Sequence, residues 1–388
     1  MSATAAKLLD RAAGGLLLRL LRPLRVLGDL VGEDRVLGRV REIAVVKFWG
    51  AGNAALILPV LETLKERYPG ARLTVVTLAR NRRLFSPVAD RVLTVRMQPM
   101  ALCLLDLLSA AGRLRRLHVD LALDFEQFLR SSQLLLFAAG ARQVVAFDTA
   151  GQRRGELAHV LVRYDDTRHT GESFLDLARA AGVRRRAYVP GGLRVDSRAA
   201  AVVDRVLGGR AADRPLVVLH PGSGDNFAGR RWPTRRFGLL ARRLVDEAGA
   251  CVVLTGGDRE RQLAREVAEA AERRLVDLAG KLDLDDLVAL LARAAVVVSN
   301  DTGPVHLAGA LGTPVVALFG PNSPQLYGPL SKGSVSFYAA LPCSPCITNF
   351  NYKTSRCRNP VCIQAIEVDP VADAALRLVR RAAGARLA

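Results

Sequence analysis

From Ile43 onward the sequence alternates short β-rich apolar runs with longer amphipathic stretches, a rhythm that few folds accommodate. "IAVVKF" leads into a helical segment through "LPVLETLKERYPG", and "RLTVVTLA", "RVLTV", "DLALDF" and "QVVAF" follow at intervals. Strands separated by helices predict a parallel sheet with crossover helices. The rhythm breaks at "GVRRRAYVPGGLRVDSRAA", rich in Gly, Pro and charge. A second series then runs through "RPLVVLHPGSG", a helix in "TRRFGLLARRLVDEAG", "CVVLTGG", "LVDLAG", a helix in "LDDLVALLARA", "AVVVSNDTG" and "PVVALFG". The chain closes on "VDPVADAALRLVRRAAG", where Asp369 can cap a last helix and Pro370 can occupy its first turn. No tandem repeat or low-complexity tract interrupts this order.

The expected class is α/β, with two Rossmann-like doubly wound domains, and 388 residues suit two domains of ordinary size. The expected boundaries are an N-terminal extension 1–40, a domain 41–195, a second domain 212–366 carrying a Cys-rich loop 341–363, and a terminal helix 367–388. Open α/β sheets bind ligands at the carboxyl ends of their strands, so two such domains side by side predict a shared cleft.

Composition adds a bias toward acidic partners. The 56 Lys and Arg against 37 Asp and Glu give a formal charge of +19, which suits a polyanion, an anionic membrane surface or a phosphorylated glycolipid. Arginine-rich coding bias accounts for the same excess equally well. The first forty residues sharpen the question: "AAKLLDRAAGGLLLRLLRPLRVLGDL" scatters Lys7, Arg11, Arg19, Arg22 and Arg25 among leucines. This is the pattern of a basic amphipathic helix lying on a membrane surface, or of a helix packed on the protein itself; a secretory signal is a third option, disfavoured because Arg19 cuts the apolar centre. No apolar run is long enough to span a bilayer. A cytoplasmic protein, peripheral on the inner face of the cytoplasmic membrane, is the expectation, with no nucleic-acid partner.

"KFWGAGNAALILP" follows the first strand with Gly50, Gly52 and Ala55 at dinucleotide-turn spacing. The next strand, "LTVVTLAR", ends without the acid that would hold a ribose, which argues against a dinucleotide at this turn. Phosphate signals cluster in the second half. In "SNDTGPVHLAGALGTPVVALFG" a strand runs into Asp301, Thr302 and Gly303, Pro304 opens a helix, and His306 lies one turn in. Unpaired N–H groups and the positive dipole end make such a helix start an anion site. "LHPGSGDNFAGRRWP" adds Ser223 and Gly224 directly after a strand, with Arg230 and Arg231 before Trp232. "VLTGGDRE" adds Gly256 and Gly257. Three glycine loops at successive strand ends predict a nucleotide diphosphate site.

Taken together, these motifs and "LAGKLDLDDLVALLARA" resemble the glycosyltransferase family 9 heptosyltransferases, over roughly Ile43 to Leu376. The resemblance implies a GT-B fold, a donor such as ADP-heptose in the C-terminal domain, and a lipopolysaccharide or other lipid-linked saccharide acceptor on the N-terminal domain. It implies metal-independent, inverting transfer that needs no cofactor. Donor contacts would fall to Ser223, Gly224, Arg230, Arg231, Gly256, Gly257, Asp301, Thr302, Gly303 and His306. Arg230 stands where the family commonly has a phosphate-binding Lys, which keeps the charge but changes a point donor into a fork. Gly52, Arg130, Arg153, Arg154 and His169 lie where family members meet an acidic acceptor.

One departure matters for the chemistry. Inversion needs a base for the acceptor hydroxyl proton. The family's Asp in the first glycine loop is replaced here by Asn53, and an amide cannot take that proton. Either another carboxylate compensates, Asp124 or Glu126 in "LALDFEQFLRSS" being the nearest candidates beside an ordinary helix-cap role, or transfer is slow with a different acceptor, or the chain is a non-catalytic relative. A binding protein without turnover, a GT-B-like sugar-nucleotide epimerase and a nicotinamide oxidoreductase are the rival readings. The D-x-D of Asp283 and Asp285 fits a helix start better than a metal site. Cys343, Cys346, Cys357 and Cys362 form C-x2-C…C-x4-C, a weak candidate for a structural metal against reduced thiols or disulfides. Cys103 and Cys251 read as small buried apolar residues.

Overall fold

The computed structural model describes residues 10–31, 39–96, 99–224, 227–351 and 353–387. It divides into two compact units, Met1–Val189 with Asn349–Lys353, and Pro190–Thr348 with Thr354–Ala388.

In the first unit, helix α1 (Gly15–Val31) follows a short wide turn at Asp10–Gly14 and precedes the sheet. Of the expected extension 1–40, residues 1–9, Lys7 among them, and 32–38 lie outside the described residues. The chain then runs β1 (Glu42–Lys47), α2 (Ala51–Arg67), β2 (Arg72–Leu78), β3 (Arg91–Val95), α3 (Met100–Leu117), β4 (Leu121–Asp124), α4 (Ser131–Ala139), β5 (Gln143–Asp148), β6 (Val160–Arg163) and α5 (Thr170–Ala180). All neighbouring strands pair parallel, in the order β3-β2-β1-β4-β5-β6. The Val-, Ile- and Leu-rich runs of β1, β2 and β4 are buried almost throughout, as strands covered on both faces must be. Helix α2 packs beside α5, and α3 beside α4. Gly50 makes the tight passage from β1 into α2 possible: its φ of 77° is one that a side chain resists.

The second unit repeats the plan. Helix α6 (Ser197–Leu207) occupies the stretch expected between the domains, capped by Asp196 and packed beside α9. Then come β7 (Leu216–His220), α7 (Thr234–Ala248), β8 (Cys251–Leu254), α8 (Arg261–Ala271), β9 (Val276–Asp277), α9 (Leu284–Arg293), β10 (Val296–Asn300), α10 (Gly303–Ala310), β11 (Val315–Phe319), β12 (Val335–Tyr338) and α11 (Val368–Leu387). The order β12-β11-β10-β7-β8-β9 is again parallel and has the same connectivity as the first sheet. Trp232 and Phe237 anchor the core against β7, β8, α8 and the apolar face of α11, whose Val371, Ala372, Ala375 and Leu376 are buried. The terminal helix is thus part of this core. In both units the strand order reverses beside the first strand, between β1 and β4 and between β7 and β10, where a doubly wound sheet leaves a crevice for ligands.

One buried ion pair ties the first unit together beside its reversal. Arg154, fully buried, donates through Nη2 to Asp124 Oδ2 at 2.6 Å, through Nε to Leu129 O and through Nη1 to Phe147 O. Asp124 also accepts from Ser132 Oγ and Gln133 Nε2. The pair joins the ends of β4 and β5 to the start of α4. Removing one partner of such a pair strands a charge in the interior, so Arg154→Met is expected to cost about 3–5 kcal/mol. Urea unfolding measures this, and Arg154→Met with Asp124→Leu recovers most of the loss.

Candidate functional site

At the reversal in the second unit, two loops meet through Asn300, the last residue of β10. Its Nδ2 donates to Pro221 O at 2.8 Å and Gly222 O at 3.1 Å, and its Oδ1 accepts from Trp232 N at 2.9 Å. The glycine loop after β7 is held by Glu260. Its Oε1 accepts from Ser223 N and Gly224 N at 2.9 Å each, and its Oε2 accepts from Gly257 N at 2.9 Å. A Cβ at Gly222 would sit 2.2 Å from that carboxylate, so only glycine fits there. These amides, expected from sequence to face the donor, are therefore spent on an internal carboxylate.

His220, at the end of β7, backs the same carboxylate. Its Nδ1 lies 3.1 Å from Thr255 Oγ1 and its Nε2 4.0 Å from Glu260 Oε2. Burial lowers the His220 pKa, only partly opposed by Glu260. Burial acts to raise the Glu260 pKa, yet the facing imidazole and the three N–H donors hold it below the ordinary carboxylate value.

What remains for an anion is the start of α10. Thr302 is extended at the N-cap, no side chain caps the helix, and Pro304 fills the first turn without demanding a partner. Pro304 has no N–H and Val305 N donates to Thr302 O at 3.1 Å, so the partly exposed Thr302 and Gly303 amides and the positive dipole end are what a ligand can meet. Arg230 borders this end: Nη1 donates to Asp301 O at 2.8 Å and Nη2 to Ser223 O at 2.6 Å, while its buried Nε has no partner among the described residues. Arg231 donates through Nε to Ser223 Oγ at 3.0 Å. Asp301 is buried, accepts from Asn322 Nδ2 at 2.7 Å and lies 3.7 Å from Arg230 Nη1, so its carboxylate orients the arginine. His306 is buried edge-on to Tyr327. Gly256 and Gly257 open the neighbouring loop, with Gly257 exposed.

In the first unit, Glu126 plays the part that Glu260 plays in the second. Its Oε1 accepts from Phe48 N at 2.6 Å and Trp49 N at 3.1 Å, which fixes the loop leading to Gly50, and its Oε2 lies 3.6 Å from the buried Lys47 Nζ. Asp124 and Glu126 are both 0 % exposed and engaged as described. Neither side chain meets solvent, so a base role for either would require an arriving hydroxyl to displace these buried partners. Asn53, third residue of α2, is partly exposed beside buried Gly52, and its side chain makes no hydrogen bond among the described residues.

The expected acceptor arginines divide by burial. Arg154 is structural, Arg153 is exposed, and Arg130 is nearly buried, donating through Nη2 to Gln152 O at 2.5 Å. His169 caps α5 by accepting from Gly171 N at 3.1 Å, which occupies one of its ring nitrogens. Asp283 caps α9, accepting from Asp286 N, the helix-start role expected of the D-x-D. Cys343 and Cys357 are exposed and Cys362 is buried, all as free thiols; among the described residues no group of three or more His, Cys, Asp or Glu could hold a metal ion. No helix among the described residues is long and apolar enough to cross a membrane. Sequence reasoning missed Glu260, Asn300 and Asn322. Only the Gly-x-x-Glu spacing of Gly257 and Glu260, a helix-start pattern, pointed toward the first of them.

Residues 107–354, 248 of the 388, match the model of glycosyltransferase family 9 (heptosyltransferase). The chain belongs to that family. The second-unit loops described above fall inside the match, and Gly52 and Asn53 fall before it. Curated relatives include lipopolysaccharide heptosyltransferase 2 of Escherichia coli, 38 % identical over 125 residues covering 31 % of this chain and 35 % of that enzyme. Lipooligosaccharide heptosyltransferase 2 of Haemophilus influenzae is 37 % identical over 123 residues, covering 31 % and 35 %. The chain thus spans about a third of the length of the curated relatives it matches. Among solved structures, a family 9 glycosyltransferase from Veillonella parvula superposes with a TM-score of 0.76 at 20 % identity, over 90 % of this chain and 100 % of that one. ADP-heptose lipopolysaccharide heptosyltransferase II of E. coli gives 0.70 at 23 % identity, over 88 % and 99 %. The two doubly wound units are those of a GT-B fold.

The His220 burial carries a pH dependence with a definite sign. The unfolded imidazole protonates near pH 6.5, whereas the folded one resists until lower pH. Between those values the unfolded chain binds a proton that the folded chain refuses. The His220 contribution to stability is therefore full above about pH 6.5 and declines as pH falls below it. Urea midpoints measured from pH 7.5 down to pH 5 are expected to fall less steeply in His220→Gln than in the parent.

Proposed function

We propose that this chain is an inverting, metal-independent glycosyltransferase that moves a heptose, or a related sugar, from ADP-heptose or a similar nucleotide sugar to a lipopolysaccharide core or another cell-surface glycan. The observation that carries the reading is the uncapped start of α10, with Thr302 and Gly303 partly exposed beside Arg230, inside the region matched to the family. A diphosphate there would take backbone donors from Thr302 and Gly303 and charge from Arg230 and Arg231, with His306 and the Gly256–Gly257 loop toward the sugar or nucleoside. The acceptor would bind the first unit near Gly52, Asn53, Arg130 and His169. The protein would act in the cytoplasm at the anionic inner face of the cytoplasmic membrane.

In the transfer step the acceptor hydroxyl oxygen forms a bond to the anomeric carbon from the face opposite the leaving group. The bond from that carbon to the diphosphate oxygen breaks, and the nucleoside diphosphate departs with the electron pair. The guanidinium groups and helix start would stabilise the charge growing on the diphosphate. Asn53 can hold the acceptor hydroxyl by a hydrogen bond but cannot take its proton, so the proton passes to solvent water in place of a dedicated carboxylate and turnover is slow.

Three outcomes test this. ADP-heptose is expected to raise the thermal midpoint, since a ligand bound only by the folded state must stabilise it, and stabilisation by no nucleotide sugar would sink the donor assignment. Arg230→Met should weaken that binding about tenfold or more, while Arg230→Lys retains it. Asn53→Asp should raise ADP release in the presence of a heptose-deficient lipopolysaccharide acceptor by about tenfold or more. An unchanged rate in that variant, with donor binding intact, removes the general-base position from Asn53.

A further inference from the structure

Helix α1 is poorly covered: of its described side chains, residues 15–27, Leu18 alone is buried. Leu16, Leu20, Leu24 and Leu27 stand 58–62 % exposed at helical spacing that puts them on one face. Arg11, Arg19 and Arg22 of the same segment are exposed, Arg19 flanking the leucine face and Arg22 on the opposite side of the helix. The one acid among the described side chains of residues 10–27 is already in use: Asp10 Oδ2 accepts from Arg130 N and Oδ1 from Ser131 N, both at 2.8 Å, so it caps α4. Gly14 lies against Arg130, where a Cβ would come within 2.9 Å of the arginine Cβ. The start of α1 is thereby pinned over the start of α4.

A second exposed apolar face belongs to α3. Leu104, Leu105 and Leu108 are 55–67 % exposed. The one acid among them, Asp106, is bound by Arg96 through the backbone N–H and two guanidinium nitrogens, which hold its pKa down to about 2. Helix α3 follows β3 and α4 follows β4 in one parallel sheet, and the two helices pack together. Their first turns therefore lie at the same end of the unit, and α1 begins there too.

We propose that α1 and the first half of α3 form one bipartite surface that docks on an anionic lipid bilayer. This rests on the membrane-surface reading above and adds α3 as a second contact. Exposed leucines on a helix that also carries exposed arginines, with both acids among the described side chains of α1's start and α3 already engaged, call for a partner that supplies hydrocarbon and negative charge together. An anionic bilayer does both. At 17 residues and about 1.5 Å per residue, α1 suits lying in the interfacial plane.

The test uses the full-length protein and vesicle co-sedimentation, comparing phosphatidylethanolamine–phosphatidylglycerol vesicles with phosphatidylcholine vesicles at low and high salt. Binding to the anionic vesicles, weakened by salt, is expected. Leu104→Ser, Leu105→Ser and Leu108→Ser combined should lower it about tenfold, as should Arg19→Glu with Arg22→Glu. Leu105→Trp reports insertion directly, through a blue shift in emission when anionic vesicles are added. If the α3 variant binds as the parent does and Leu105→Trp shows no shift while the α1 variant loses binding, the bipartite surface is overturned and the membrane reading survives. If the parent does not bind anionic vesicles at all, both fall. A parent dimer that the α3 variant abolishes without affecting vesicle binding would assign the leucines to a second copy of the chain and overturn the proposal.

Discussion

In each unit a buried carboxylate takes the backbone N–H groups of the loop that follows the first strand, and the geometry of both candidate sites depends on it. Glu126 holds Phe48 and Trp49; Glu260 holds Ser223, Gly224 and Gly257. A buried carboxylate that accepts several amide donors fixes a loop that has few side chains of its own to pack, and at Glu260 the facing imidazole and the amide donors outweigh burial and hold its pKa below the ordinary carboxylate value. Glycine is then required where the carboxylate crowds the chain, as at Gly222.

This arrangement changes which groups are left for chemistry. The glycine loop after β7 has the outline of a phosphate cradle, yet its donors face inward to Glu260. The uncapped start of α10 and the flanking arginines are what remain for an anion. Asp301 is engaged in the same way: it accepts from Asn322 Nδ2 and faces Arg230 Nη1, which sets the guanidinium in place. Arginine suits that role because its planar fork can bond Ser223 O and Asp301 O through two nitrogens at once.

The first unit has spent its nearby acids in a similar way. Asp124 is neutralised by Arg154 and surrounded by donors, and Asp10 caps α4. Charged groups removed from water need such partners to be tolerated there. The polar residue left partly exposed after the glycine turn is Asn53, and some of the exposed arginines of this strongly basic chain sit on a helix of exposed leucines.

The sequence by itself determined the fold class, because the alternation of strand-length apolar runs with amphipathic stretches fits a parallel, doubly wound sheet. It also determined the family, because "SNDTGPVHLAG" and "RRWP" combine turn, helix-start and charge signals in short local order. Local patterns are legible since capping, turn formation and strand burial depend on neighbours a few residues away. Tertiary structure alone decided which polar groups are free. Asp124 and Arg154 are 30 residues apart, Ser223 and Glu260 37, and Asn300 and Trp232 68, so no local pattern announces their bonds. Whether a carboxylate serves as a base or as a clamp turns on its burial and its donors, and those are set only when distant strands come together in the sheet.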